Sequence, residues 1–150
     1  MDPDLPITVT LDVRDTCLCM RTQRAARALA RRFDDAFRHL DLTHGQFSVM
    51  MTLNQPSPPN LHRIASFLGM DRTSLTAKLK ALVRKGWVTV TPDAADKRSR
   101  QLALTNAGRD ILKTAYPIWQ STHHDIDVEM TASDEADFKG LLDVLAGIEG

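Results

Sequence analysis

The chain lacks the features that mark several whole classes of protein. No apolar run approaches the roughly 18 residues that a membrane-spanning helix requires. Met1 to Leu11 carries Asp2, Asp4 and two prolines where an export signal needs a basic start and an apolar stretch, so a cytoplasmic protein is expected. Cysteine occurs twice, at Cys17 and Cys19, too few and too close for a disulfide framework. Gly-x-Ser-x-Gly, His-Glu-x-x-His, a glycine-rich phosphate loop and Cys-x-x-Cys are all missing, which leaves no recognisable catalytic constellation. No enzyme activity and no cofactor is expected. Nor is a metal: the adjacent His123 and His124 diverge, and no cysteine or histidine pair has chelating spacing.

What is present suits one soluble domain spanning 1–150, with 43% apolar residues for a core. The formal net charge is zero, but the charges are segregated. Residues 59–110 hold ten Lys/Arg against four acids, a local +6, and residues 121–150 hold eight acids against Lys139 alone, a local −7. The middle of the chain is either a polyanion-binding surface or a solvated face.

Periodicity divides the chain into helices and one hairpin. Arg14 to Leu40 is rich in Ala and Arg, with Leu18, Ala25, Leu29, Phe33, Ala36, Phe37 and Leu40 near helical spacing, and reads as one long helix. Thr43 and Gln46 have the spacing of a capping box, and Leu42 and Phe47 that of a hydrophobic staple, opening a helix that runs to about Asn54. Prolines at 56, 58 and 59 make a loop. Leu61, Ile64, Ala65 and Leu68 form a short third helix closed by Gly69. A fourth, capped by Asp71, carries Leu75, Leu79, Leu82 and Val83 on one face and ends at Gly86. Trp87 to Thr91 and Arg100 to Leu104 read as two strands around a polar loop, Pro92 to Ser99. Thr105 caps a fifth helix, to about Met130, which Pro117 should kink. Thr131 with Asp134 starts a sixth, striped by Phe138, Leu141, Leu142, Leu145 and Ile148.

A short helix, a tight turn, a second helix and a hairpin make the layout of a winged helix-turn-helix, mainly α with a small β wing. Opposite the apolar face, the second of these helices carries Thr73, Ser74, Ala77, Lys80 and Arg84, flanked by Arg72, Thr76 and Lys78. Hydroxyls and a small Ala can approach base edges, whereas Lys and Arg suit phosphates. A winged-helix module used for protein contacts is the rival from another class; it calls for exposed apolar residues where Thr73, Ser74, Lys78 and Lys80 stand.

Met70 to Thr76, Lys85-Gly86-Trp87-Val88, Pro92 to Arg98 and Leu102-Ala103-Leu104-Thr105 together resemble the recognition helix and wing of the MarR family of regulators. The resemblance spans about residues 14–148 and includes the Asp-x-Arg wing motif at Asp96-Lys97-Arg98. It implies a DNA-binding transcriptional repressor, homodimeric, with dimerisation helices at about 14–40 and 106–148 and a reading unit at about 43–105. Arg72 to Lys80 would read the major groove of double-stranded DNA, Arg98 would enter the minor groove beside Lys97 and Arg100, and Asp96 would orient the wing. A two-fold dimer implies a pseudo-palindromic operator. The stripe Phe138 to Ile148 either joins two copies or packs within its own.

The resemblance also implies a small, often aromatic or anionic effector between the reading unit and the dimer helices, where Arg21, Arg24, His44 and Trp119 are the candidate lining residues. Redox sensing is the alternative. Cys19 stands where organic-hydroperoxide sensors of the same family keep a reactive cysteine, but Gln23 and Phe33 occupy the places of their tyrosines. Cys17 and Cys19, two apart on one helix, would point to different sides.

Overall fold

The computed structural model describes residues 4–57, 59–92, 100–130 and 132–147, and it opens with two helices where one was expected. Helix α1 (Ile7–Thr16) precedes α2 (Leu18–Phe37), and the break between them falls at Cys17, whose backbone is extended at φ −70°, ψ 103°. Local side-chain bonds hold this corner. The Thr16 hydroxyl donates to the Asp12 carbonyl at 2.7 Å, Arg21 Nη2 donates to the Asp15 carbonyl at 2.6 Å, and the Met20 amide donates to Cys17 Sγ at 3.4 Å. The helix expected over 14–40 is thus corrected: Arg14 to Thr16 belong to α1, and Arg38–Leu40 is a 3-10 turn. With α1 added, the described residues hold seven α-helices rather than about six.

Asp41 leaves the 3-10 turn with a positive φ of 51°. Helix α3 (His44–Leu53) then starts at Thr43, whose hydroxyl accepts the Gln46 amide while Gln46 Oε1 accepts the Thr43 amide, so the expected capping box is complete. Leu42 and Phe47, the staple pair, are both buried. Helix α4 (Leu61–Phe67) takes its cap from Asn60, and α5 (Arg72–Arg84) from Asp71, each accepting an amide in the first turn. Both end alike. Gly69 and Gly86 adopt φ of +58° and +72°, and the residue after each donates back to the carbonyl five residues earlier, Met70 to Ala65 at 2.8 Å and Trp87 to Leu82 at 3.0 Å.

Strands β1 (Val88–Pro92) and β2 (Arg100–Leu104) pair antiparallel from Val88↔Leu104 to Pro92↔Arg100. Helix α6 (Asn106–Glu129) begins at a tight junction with the end of α5. The Thr105 hydroxyl donates to the Gly86 carbonyl at 2.7 Å and accepts the Gly108 amide at 3.0 Å, while the Thr105 amide donates to the Trp87 carbonyl. Helix α6 runs through Pro117 without a stop. Helix α7 (Ala132–Ala146) follows.

One apolar cluster joins Phe33 and Phe37 of α2, Phe47, Val49, Met50 and Leu53 of α3, Ile64 of α4, Leu75, Leu79 and Leu82 of α5, Val88, Leu102 and Leu104 of the hairpin, and Leu112 and Ala115 of α6. Val83, expected on the buried face of α5, is exposed. The 44-residue separation between Lys85 and Asp41 is closed by an ion pair of 2.9 Å and by a bond to the Asp41 carbonyl, which fastens the end of α5 to the approach to α3.

Candidate nucleic-acid interface

Burial of Leu75, Leu79 and Leu82 turns the other side of α5 to solvent, and Arg72, Thr73, Ser74, Thr76, Ala77 and Lys80 are all exposed there. Hydrogen bonding separates the hydroxyls. Ser74 Oγ donates to Asp71 Oδ2 at 2.7 Å, and Thr76 Oγ1 donates to the Arg72 carbonyl at 2.6 Å, so both are spent on the helix itself. The Ser74 hydroxyl and amide hold the Asp71 carboxyl below the usual carboxylate range, which keeps the cap charged. Lys78 is the exception among the reading residues: it is half-buried, with its ammonium over Gly45 of α3.

Between α5 and the hairpin lies a groove of about 880 Å³ whose lining includes Arg72, Thr76, Lys80, Arg84 and Arg100, with Asn60 and His62 from α4. Four cations therefore surround one concave surface, and among the described residues its lining includes no carboxylate. Arg84 was expected on this outer face though not among the DNA contacts, and Asn60 and His62 were not expected here; the signal for those two was the polar start of the bracing helix. Arg109 is exposed but engaged locally, donating to the Leu104 carbonyl at 3.0 Å and to Asn106 Oδ1 at 2.9 Å. Asp96, Lys97 and Arg98 lie outside the described residues, as do Thr131 and Ile148.

A second concavity, of about 1010 Å³, opens between α3, α4 and α6. Its walls include His44, Phe47, Met51, His62, Arg63, Tyr116 and Trp119. Of the four candidate effector residues, His44 and Trp119 meet here and Arg21 and Arg24 do not. Those arginines line a separate depression on the outer side of α2, with Arg27 and Arg31. A run of rings starts at His44: Phe33 lies 5.1 Å from it and 5.1 Å from His123, and His123 lies 4.3 Å from Trp119. Burial pushes the His44 imidazole down, Asp34 pulls it up, and His123 and Lys78 push it down again, for a net lowering.

The cysteines are not a pair on one helix as expected. Cys17 is the half-buried cap of α2, and Cys19 is exposed, with Gln23 Nε2 donating to its sulfur at 3.3 Å. Among the described residues, no cluster of His, Cys, Asp or Glu could hold a metal ion, and no helix is long and apolar enough to cross a membrane.

Two helices meeting at a glycine turn, a cationic outer helix face and a hairpin against it define a winged helix-turn-helix DNA-binding protein. The MarR family model matches residues 42–99. The multiple antibiotic resistance protein MarR of Escherichia coli is 31% identical over 104 residues, covering 69% of this chain and 72% of that protein. The regulator SarZ of Staphylococcus saprophyticus is 28% identical over 113 residues, 75% of this chain and 77% of that one. Among solved structures, a mutant E. coli MarR complexed with operator DNA superposes with a TM-score of 0.80 at 26% identity, over 90% of this chain and 97% of that one. The Mycobacterium tuberculosis regulator MosR, in complex with DNA, gives 0.75 at 29% identity, over 89% and 99%. This chain belongs to the MarR family: it is a transcriptional regulator and not an enzyme.

Proposed function

We propose that the chain acts in the cytoplasm as a homodimeric repressor that binds a pseudo-palindromic operator and leaves it when a small effector binds. The observation that carries the DNA-binding surface is the ring of Arg72, Lys80, Arg84 and Arg100 around one groove beside α5. In this reading the exposed Thr73 and Ala77 meet base edges, Ser74 and Thr76 brace the first turns, and the cations grip phosphates. Arg98, aided by Lys97 and oriented by Asp96, enters the minor groove. The complexes of E. coli MarR and MosR with DNA support the reading for relatives of more than 25% identity.

Dimerisation is supported by apolar surface that the single copy leaves open. Ile7, Val9, Leu11 and Val13 of α1, Leu18 of α2, and Phe138, Leu141, Val144 and Leu145 of α7 are all exposed. The effector site is the cavity with His44 and Trp119, whose aromatic walls and basic rim suit a flat, anionic molecule. Such a ligand opposes DNA binding by favouring a conformation whose recognition helices miss the groove spacing.

The test is a salt titration of binding to the protein's own promoter DNA. Phosphate contacts make the affinity fall steeply as salt rises. Arg98→Ala is expected to weaken binding by about 1–3 kcal/mol. An unchanged affinity in that variant removes the wing from the mechanism.

A further inference from the structure

Lys78 sits differently from its neighbours on α5. A Cβ placed on Gly45 would lie 2.8 Å from Lys78 Nζ and 3.0 Å from its Cε, so the absent side chain of Gly45 is the space the lysine fills. This puts an ammonium over the first turn of α3, where the helix dipole disfavours a cation. Gly45 follows His44 in the chain, and His44 is the first residue of that helix and part of the effector cavity wall. Lys78 of the recognition helix is therefore packed on the residue next to a wall of the cavity.

The surroundings of His44 show what a charge there would meet. From α2, Asp34 Oδ1 accepts the His44 backbone amide at 2.6 Å, and the Phe33 ring lies tilted against the imidazole. From α6 comes His123, and from α5 Lys78. Across the cavity stand His62 and Arg63 of α4. Asp34 is the acid of this set, and its oxygen is already engaged with the α3 amide.

We propose that Lys78 is a positioning residue rather than a phosphate contact: seated over Gly45, it holds α5 against α3, and a positive charge acquired by His44 drives it off that seat and weakens DNA binding. The proposal rests on the reading of the cavity as the effector site and names the residues that carry its signal. An anion bound beside His44 favours the imidazolium, as an opposite charge does for any base. The imidazolium repels the Lys78 ammonium seated over the neighbouring Gly45. Acidification produces the same event without a ligand, which makes the relay testable before any effector is identified.

The experiment uses the full-length protein with three variants, Lys78→Met, Gly45→Ala and His44→Gln. Lys78→Met keeps the stem and removes the charge; Gly45→Ala displaces the ammonium and replaces glycine by a better helix former. The His44 imidazole is followed by NMR titration in wild type, Lys78→Met and Gly45→Ala. Its pKa is expected to rise in both variants. An unmoved value in both overturns the proposal. DNA affinity is measured against salt and pH. Lys78→Met is expected to weaken binding severalfold with the slope against salt unchanged, whereas loss of a phosphate contact lowers the slope by about one and overturns the positioning role. As pH falls from above the ordinary histidine value of about 6.5 to below the depressed His44 value followed by NMR, wild-type affinity is expected to fall relative to His44→Gln, and Lys78→Met to lose that difference. Parallel pH profiles overturn the relay. A wild type that ignores DNA at low ionic strength instead overturns the repressor reading, while the NMR titration still decides the contact.

Discussion

His44 and Gly108 are single positions where packing sets chemistry. The lowered His44 pKa means that the folded chain binds a proton less readily than the unfolded one. Its contribution to stability is complete above the unfolded value of about 6.5 and is lost as pH falls below that toward the depressed folded value. Chemical denaturation at a series of pH values should show this decline in wild type and a shallower one in His44→Gln. Gly108 is required for space: a Cβ there would lie 2.1 Å from the Trp87 carbonyl oxygen, which is backbone and already accepts the Thr105 amide. Gly108→Ala should force α6 away from the end of α5 and cost about 1–3 kcal/mol in thermal or denaturant unfolding.

At the scale of elements, the caps of α3, α5 and α6 and the glycine turns after α4 and α5 were the most legible features. Thr43 with Gln46, Asp71 and Thr105 each accept the amide that their spacing implies, because a cap is a bond between residues three apart and needs no tertiary information. The glycine stops behave likewise. Gly86 holds a left-handed conformation between α5 and β1, so Gly86→Ala should cost about 1–2 kcal/mol and loosen the wing relative to the recognition helix. Matched loss of DNA affinity and of stability is the expected result; full stability in a denaturant series would show that the turn tolerates a side chain. Helix α1 was not legible. Ile7, Val9, Leu11 and Val13 recur every second residue, a strand-like spacing, and none of the described residues of α1 is buried to mark a core face. The break at Cys17 was also hidden, since it depends on the Cys17 sulfur and the Asp15 carbonyl finding donors from the following helix.

The whole molecule is asymmetric in what it covers. The reading unit is closed around Ile64, Leu75 and Leu82, while α1, the start of α2 and α7 present apolar side chains to solvent. A basic row on α2, Arg21, Arg24, Arg27 and Arg31, complements the excess of acids after residue 121. Sedimentation velocity at micromolar concentration should give a dimer, and Leu141→Asp with Leu145→Asp should shift it toward monomer while leaving the fold of the reading unit in place. A monomeric wild type would leave the apolar surface of α7 without its proposed partner.

Composition, caps and periodicity determined the class of fold, the order of its helices and hairpin, and the outward face of α5, because all of these follow from interactions within one or two helical turns. The effector candidates show where that reach ends: Arg21 and Arg24 share α2 with Phe33, yet only Phe33 stands beside His44 and His123. The tertiary structure alone decided that His44 and Trp119 meet at the cavity, joined through the rings of Phe33 and His123, and that Lys78 turns back over Gly45 instead of outward with Lys80. Those outcomes depend on the angles at which helices cross, and crossing angles are set by the whole core packing at once.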